Sequence, residues 1–252
     1  MNDQTQKHSE SLSERVMDYW TVRAHDFAAV RKNELHDPIS ARWVGEMERH
    51  LPKAPRLDIL DVGTGTGYFA ILLSQKGHRL TGIDLTPAMI REAGQLAAEN
   101  GAEPRLLVMN AQATAFDDGS FDAVITRNLT WTLPDPAKAY REWFRILRPG
   151  GVLLNFDADY ARNVRNQNQR ESYIRSTGVY GHIGITPELS RENAEITLSM
   201  PAGSAVRPDW DLRLIRAAGF SSWGADPDAG KQILRERDLS DAPLFLLWAQ
   251  KE

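Results

Sequence analysis

An apolar run, Leu57-Asp58-Ile59-Leu60, ends in Asp61 and passes into Val62-Gly63-Thr64-Gly65-Thr66-Gly67, and a second apolar run ends in Gly82-Ile83-Asp84. Glycines in such a turn let the backbone approach a bulky ligand, and a carboxylate at the next strand end can grip both hydroxyls of a ribose. Strand, glycine turn, helix, strand and acid together describe a nucleoside-binding crevice. A second set of candidates follows later. Asp157, Asp159 and Tyr160 lie just past a strand, and His182 sits between glycines in Tyr180-Gly181-His182-Ile183-Gly184. Either carboxylate could hold an amine or act as a base, or could cap the segment that follows. His182 is the best-placed histidine for a base, set against the plainer reading of an exposed loop residue. For His8, His25, His36, His50 and His78 structural roles are expected.

These residues need elements to position them. Ser11-Leu12-Ser13-Glu14 fits a capping box, and Leu12, Val16, Tyr19, Trp20, Arg23 and Phe27 follow at helical spacing. A second helix is expected from Pro38 to Leu51, so residues 11–52 read as an amino-terminal helical cap. Strands are expected at 58–62, 79–84, 105–109, 121–126 and 152–156. Helices come between them: 68–76, another led by Thr86 as N-cap and Pro87, and one opened by Asp135-Pro136 and stopped by Pro149-Gly150-Gly151. A helix over 210–218, a weaker strand near 220–225 and a last strand over 244–249 complete the alternation. Such alternation implies a doubly wound, mostly parallel α/β sheet with helices on both faces, in a single domain over 1–252.

Residues 157–207 break the pattern. A connection of roughly 50 residues is too long to be bare, so helices of its own are expected at 168–176 and 187–197. An insertion at the carboxyl end of a strand is placed to roof the crevice as a substrate cap; a peripheral decoration is the other reading. Arg162, Arg165, Arg170 and Arg175 within it could hold an anion or form a solvated face. Trp131, after the fourth strand, could wall a pocket or pack in the core.

Bulk properties narrow the class. With 252 residues, 42% hydrophobic and 25% charged, the chain can bury a sizeable core. A net charge of -4 gives no electrostatic attraction toward nucleic acid. No apolar run approaches the roughly 18 residues of a membrane span. Residues 1–15 are polar, without a signal-peptide core, and a cytoplasmic location is the expectation. Zero cysteines exclude disulfides, thiolate metal sites and cysteine nucleophiles. No His-x-x-x-His pattern or acid cluster argues for a metal.

A dinucleotide fingerprint spaces its glycines G-x-G-x-x-G, and its third glycine would fall at Tyr68, which disfavours NAD. The chain instead resembles the class I S-adenosylmethionine-dependent methyltransferases, in particular the small-molecule group that includes ubiquinone-biosynthesis-like enzymes. Five stretches carry the resemblance in the family's order. They are Tyr19-Trp20 with Arg23-Ala24, Asp61 to Gly67, Gly82-Ile83-Asp84 with Thr86-Pro87-Ala88-Met89, Phe116 to Val124, and Ile146-Leu147-Arg148-Pro149-Gly150-Gly151.

The resemblance implies a seven-stranded sheet with an antiparallel last strand and S-adenosyl-L-methionine as cofactor. Gly63, Gly65 and Gly67 would pass beneath its methionine part, following Asp61. Asp84 would accept from both ribose hydroxyls, with Leu85 and Met89 flanking the adenine. Asn110-Ala111-Gln112 stands where the family commonly has an Asp-Ala pair reading the adenine edge, so Asn110 departs from the pattern, although its amide oxygen can still accept. Arg127 and Asn128 would face the amino-acid end and the methyl. Tyr19 and Arg23 would close the site, with Arg23 a candidate for the methionine carboxylate.

The expected function is in-line transfer of a methyl group to a small soluble molecule. Methylation of a protein side chain or RNA is the alternative within the fold. An NAD-dependent oxidoreductase and a non-catalytic cofactor-binding regulatory subunit are the alternatives outside it. Acceptor atom and oligomeric state are left open.

Overall fold

The computed structural model of the protein describes residues 11–165, 183–238 and 242–252. Five strands run parallel: β1 (Asp58–Val62), β2 (Arg79–Asp84), β3 (Arg105–Val108), β4 (Phe121–Arg127) and β5 (Leu147–Asp157). With β6 (Ser222–Asp226) and β7 (Phe245–Gln250) they form a seven-stranded sheet ordered β3-β2-β1-β4-β5-β7-β6, in which β7 is antiparallel to both neighbours. The chain turns back across the sheet between β1 and β4, so the carboxyl ends of those strands open onto a crevice. Asp61 near the end of β1 and Asp84 at the end of the neighbouring β2 lie at that end of the sheet.

The helices among the described residues are α1 (Leu12–Leu35), α2 (Ile39–His50), α3 (Tyr68–Ser74), α4 (Pro87–Glu99), α5 (Pro136–Ile146), α6 (Ala161–Arg165), α7 (Pro187–Ser199), α8 (Asp209–Ala218) and α9 (Ala229–Ile233). Strand alternation sorts the core into two layers. Ile59, Ile125 and Leu154 pack with α2, α3 and α9, whereas Leu60, Val124 and Leu153 pack with α5 and α8. Trp143, Tyr140 and Ile146 of α5 are fully buried, as their helical spacing predicts. Trp248 of β7 is only partly buried and stacks near His50.

The capping box of α1 forms as expected: Glu14 N–H donates to Ser11 Oγ at 3.3 Å and Ser11 N–H to Glu14 Oε2 at 2.7 Å. This helix continues well past Phe27 because Val30, Arg31 and Glu34 keep its buried face going. Thr86 does sit at the N-cap of α4, but its side chain makes no capping bond. Pro149-Gly150-Gly151 does not stop α5. That helix ends at Ile146, and β5 begins at Leu147, which pairs with Phe121 ahead of a register shift. Gly150 N–H donates to Lys251 O at 2.7 Å, which takes the turn residues into the sheet.

Helices α6 and α7 lie within the 157–207 segment. The expected helix at 187–197 is α7, whereas the one at 168–176 lies outside the described residues, as do Arg170 and Arg175. Leu189, Ile196 and Met200 pack against Leu12, Val16, Tyr19 and Trp20 of α1. Arg15 ties the same seam to Glu192 at 2.8 Å and Glu195 at 3.3 Å. No helix among the described residues is long and apolar enough to cross a membrane.

Candidate active site

The glycine loop after β1 is fastened at both ends. Asp61 Oδ2 accepts from Thr64 Oγ1 at 2.6 Å and from Ala70 N–H at 3.2 Å, while Thr64 N–H donates to Ile83 O at 2.9 Å. Gly63 and Gly65 have φ of +66° and +54°, the left-handed region that side chains rarely adopt. A Cβ on Gly63 would also lie 2.8 Å from Leu129 Cδ1, so the β1 loop and the loop after β4 approach closely there.

Asp84 sits at the tip of β2, beside that loop. Its Oδ2 accepts from Gly65 N–H at 3.0 Å and its Oδ1 from Thr86 N–H at 2.8 Å. Both oxygens are thereby aimed by backbone, and each keeps a lone pair for a ligand. Burial holds this carboxyl above the usual carboxylate range, against those two hydrogen bonds.

Burial pushes the Asp61 carboxyl further, to about 7, with the Thr64 and Ala70 bonds opposing and Asp84 adding repulsion. Between about pH 4 and 7 the native protein therefore keeps a proton here that the unfolded chain loses. Stability should fall across that window as pH rises, and the loss is complete above it. Asp61→Asn keeps an acceptor for Thr64 and Ala70 but cannot ionise. We expect urea unfolding of that variant at pH 4.5, 6 and 7.5 to show a flatter pH dependence than the parent, by up to roughly 4 kcal/mol across the window. An unchanged slope would mean Asp61 is ionised throughout.

A cavity of about 280 Å³ opens over the two acids. Leu85, Met89, Asn110, Ala111 and Gln112 line it beyond Asp84, and Arg127, Asn128, Leu129 and Trp131 line the side toward β4. Helix α1 supplies a third wall through Val16, Trp20, Arg23, Phe27 and Arg31, spaced three or four residues apart on one face, with Tyr19 beside Trp20. Tyr160, Ile185 and Asn193 bring the insertion to the same cavity. Apart from the loop glycine Gly67, the structure thus brings together every residue expected at the nucleoside site. Gly67 has φ of +84° and caps α3 just behind.

Details differ from expectation. Asn110 Oδ1 accepts from Gln112 N–H at 2.8 Å, closing a local turn, and Gln112 Oε1 accepts from Asp135 N–H at 2.6 Å. One lone pair of the Asn110 oxygen is therefore already committed. Arg23 is buried and donates to Ile183 O, which ties α1 to the insertion. Arg127 lies over the Trp43 ring at 4.3 Å and reaches Glu34 Oε2 at 3.4 Å. Two residues that sequence reasoning missed, Arg31 and Glu34, form a close buried pair beside it. The signal was present: the face Tyr19, Arg23, Phe27 continues at the same spacing to Arg31.

The candidates past β5 separate. Asp157, expected to hold or deprotonate a substrate, is 0% exposed and does not reach the cavity. Its Oδ2 accepts from Thr130 Oγ1 at 2.5 Å, Trp131 N–H at 3.3 Å and Arg207 Nη2 at 3.1 Å, and its Oδ1 from Ala158 N–H at 2.8 Å. Its Oδ2 is thus fully occupied within the fold, and its Oδ1 is taken up by the backbone of the next residue. Asp159 pairs with Arg165 at 2.5 Å, also away from the cavity wall. Tyr160 does line the cavity, its ring set edgewise to Trp131 at 5.4 Å. Trp131 serves both suggested ends, since it is buried and also forms cavity wall. His182 lies outside the described residues. His25 is exposed near Glu92, and His36 ends α1.

The cavity fits an adenosyl group with an amino-acid tail. Besides the aimed oxygens of Asp84, the buried Thr66 Oγ1 and Asn128 Oδ1 line it with no partner among the described residues. Unsatisfied buried oxygens of this kind are costly unless a ligand completes them. Among the described residues no three His, Asp or Glu side chains are grouped to hold a metal.

Comparison with known proteins agrees with this geometry. Residues 60–155 match the Methyltransferase domain family. Demethylmenaquinone methyltransferase of Thermus thermophilus is 41% identical over 106 residues, covering 41% of this chain and 48% of that protein. Ubiquinone biosynthesis O-methyltransferase of Albidiferax ferrireducens is 32% identical over 73% of this chain and 70% of its own length. The chain spans about half the length of the first curated relatives it matches. Among solved structures, phosphoethanolamine N-methyltransferase 2 of Haemonchus contortus in complex with S-adenosyl-L-methionine superposes with a TM-score of 0.61 at 17% identity, over 82% of this chain and 51% of that one; at that identity the likeness is one of fold. By its sheet order, its glycine loop and its extended match to the O-methyltransferase, this chain belongs to the class I S-adenosylmethionine-dependent methyltransferases.

Proposed function

We propose that the protein moves the methyl group of S-adenosylmethionine to a small molecule bound under the α1 and insertion walls. The observation that carries this reading is the Asp84 carboxylate, aimed by two backbone amides into a cavity floored by a left-handed glycine loop. Asp84 would hold the ribose, Leu85, Met89 and Ala111 would enclose the adenine, and Asn110 would meet its edge. Thr66, Asn128 and Arg23 would meet the amino-acid end, with Tyr19 closing over it.

When bound, the cofactor supplies a methyl already activated on a sulfonium. The chain's own task is then to align the acceptor, exclude water and, where the acceptor is protonated, accommodate its proton. Trp131 and Tyr160 wall the acceptor side, and α1 covers it. The names of relatives acting in menaquinone and ubiquinone biosynthesis support a small organic acceptor, and the net charge of -4 disfavours RNA. A cytoplasmic setting belongs to the same reading.

Calorimetric titration with S-adenosylmethionine, S-adenosylhomocysteine and NAD tests the cofactor. Binding of the first two but not the third is expected; the converse would end this reading. A product screen with labelled methyl donor tests catalysis, and donor binding without transfer to any small molecule would favour the regulatory-subunit alternative.

A further inference from the structure

We infer that the methyl acceptor carries a negative charge, received by Arg127. This rests on the methyl-transfer reading of the same cavity and adds the chemical class of its second ligand.

Arg127 ends β4 and lines the cavity on the side of Asn128 and Trp131. Its guanidinium is fixed in place, lying over the Trp43 ring at 4.3 Å with Tyr68 and Phe69 within 6 Å. A guanidinium carries five N–H donors and stays charged at any ordinary pH. Among the described residues only one of those donors meets an acceptor, Glu34 Oε2 at 3.4 Å, and Glu34 is held more closely by Arg31. Arg127 Nε is buried with no partner among the described residues. A mostly buried cation so under-supplied with acceptors is stabilised by an anion entering from the cavity it lines.

The rest of the lining points the same way. Among the described residues, the only carboxylates on the cavity wall are Asp61 and Asp84, and both are bonded to the glycine loop. Among the described residues no histidine is on that wall either. A protonated amine acceptor would therefore face a fixed guanidinium, with no base among the described residues to relieve it. An anionic acceptor with a flat apolar body would be paired by Arg127 and packed against the wall that Trp131 and Tyr160 form together.

Three probes that share a phenyl ring and differ in charge separate the possibilities: benzoate, benzyl alcohol and benzylamine, titrated with and without saturating S-adenosylhomocysteine. Benzoate should bind the S-adenosylhomocysteine-loaded protein at least about tenfold more tightly than benzyl alcohol, with benzylamine weakest. Arg127→Met should abolish that preference and Arg127→Lys should keep part of it, while neither weakens S-adenosylhomocysteine by more than about threefold. Loss of the benzoate preference only when S-adenosylhomocysteine is present would show that Arg127 serves the cofactor carboxylate instead, and would overturn the proposal. So would equal binding of the three probes, or no benzoate binding, in the parent protein, a comparison that does not depend on any variant folding. Failure of S-adenosylhomocysteine to bind would sink the methyl-transfer reading, whereas the probe series without it would still report on the anion site.

Discussion

Replacing Arg207 by methionine is expected to cost about 4 kcal/mol of folding stability and to lower the melting temperature by roughly 10 °C. The guanidinium of Arg207 is 1% exposed and lies between two carboxylates that are 0% exposed. It donates to Asp157 Oδ2 at 3.1 Å, to Asp211 Oδ2 at 2.8 Å, to Thr130 Oγ1 at 2.6 Å and to Ala158 O at 3.0 Å. Tyr140 and Asn155 extend the network: the phenol donates to Asp211 at 3.0 Å, and the Asn155 amide to the phenol at 2.9 Å. Burial and the neighbouring carboxylate hold the Tyr140 hydroxyl well above its ordinary range, so it stays a donor. Removing the cation would leave two buried carboxylates facing each other without compensation. Replacing Asp157 and Asp211 by asparagine in the same chain should recover most of the loss, because the stranded charges leave together. Urea unfolding of the single and triple variants measures both. A single-variant cost below about 1 kcal/mol would show that water reaches these groups.

Asp84→Ala should weaken S-adenosylhomocysteine binding by about 100-fold, read by calorimetry. Two ribose hydroxyls would lose a charged acceptor, and the Gly65 and Thr86 amides would lose the oxygens that now receive them. Asp84→Asn, which keeps one acceptor, should lose about tenfold. Because burial raises the Asp84 carboxyl in the ligand-free protein, ribose donors favour its ionised form, and binding should release a proton. Affinity should then rise with pH through the range where that carboxyl titrates. Retained affinity in the alanine variant would refute the ribose assignment.

Different parts of this molecule were legible to different degrees, and the reasons are physical. Local rules sufficed where neighbours in sequence are neighbours in space. Ser11 and Glu14 form their box, and Gly63 and Gly65 adopt the left-handed turn. Apolar runs ending in an acid were enough to place Asp58–Val62 and Arg79–Asp84, the two strands that carry Asp61 and Asp84. Asp157 misled because a carboxylate just past a strand looks the same whether it faces a ligand or a partner. Its partner Arg207 is fifty positions away, across a segment with no readable period. Arg127 was placed at the cavity by resemblance, but the Trp43 ring beneath it and the Glu34 beside it come from helices that no spacing rule connects to β4. The strand start at Leu147 was hidden by Pro149-Gly150-Gly151, whose turn chemistry is real but is spent on an irregularity at the sheet edge of β4 and β5.

Helix α1 is shared property. Its Ala24 and Phe27 pack with Ala88 and Met89 beside the nucleoside end, while Tyr19 and Trp20 pack toward the insertion at the acceptor end. A rigid rod that shuts two rooms at once gives them a common threshold. On the proposed reading, then, displacing this one helix would uncover the nucleoside end and the acceptor end together.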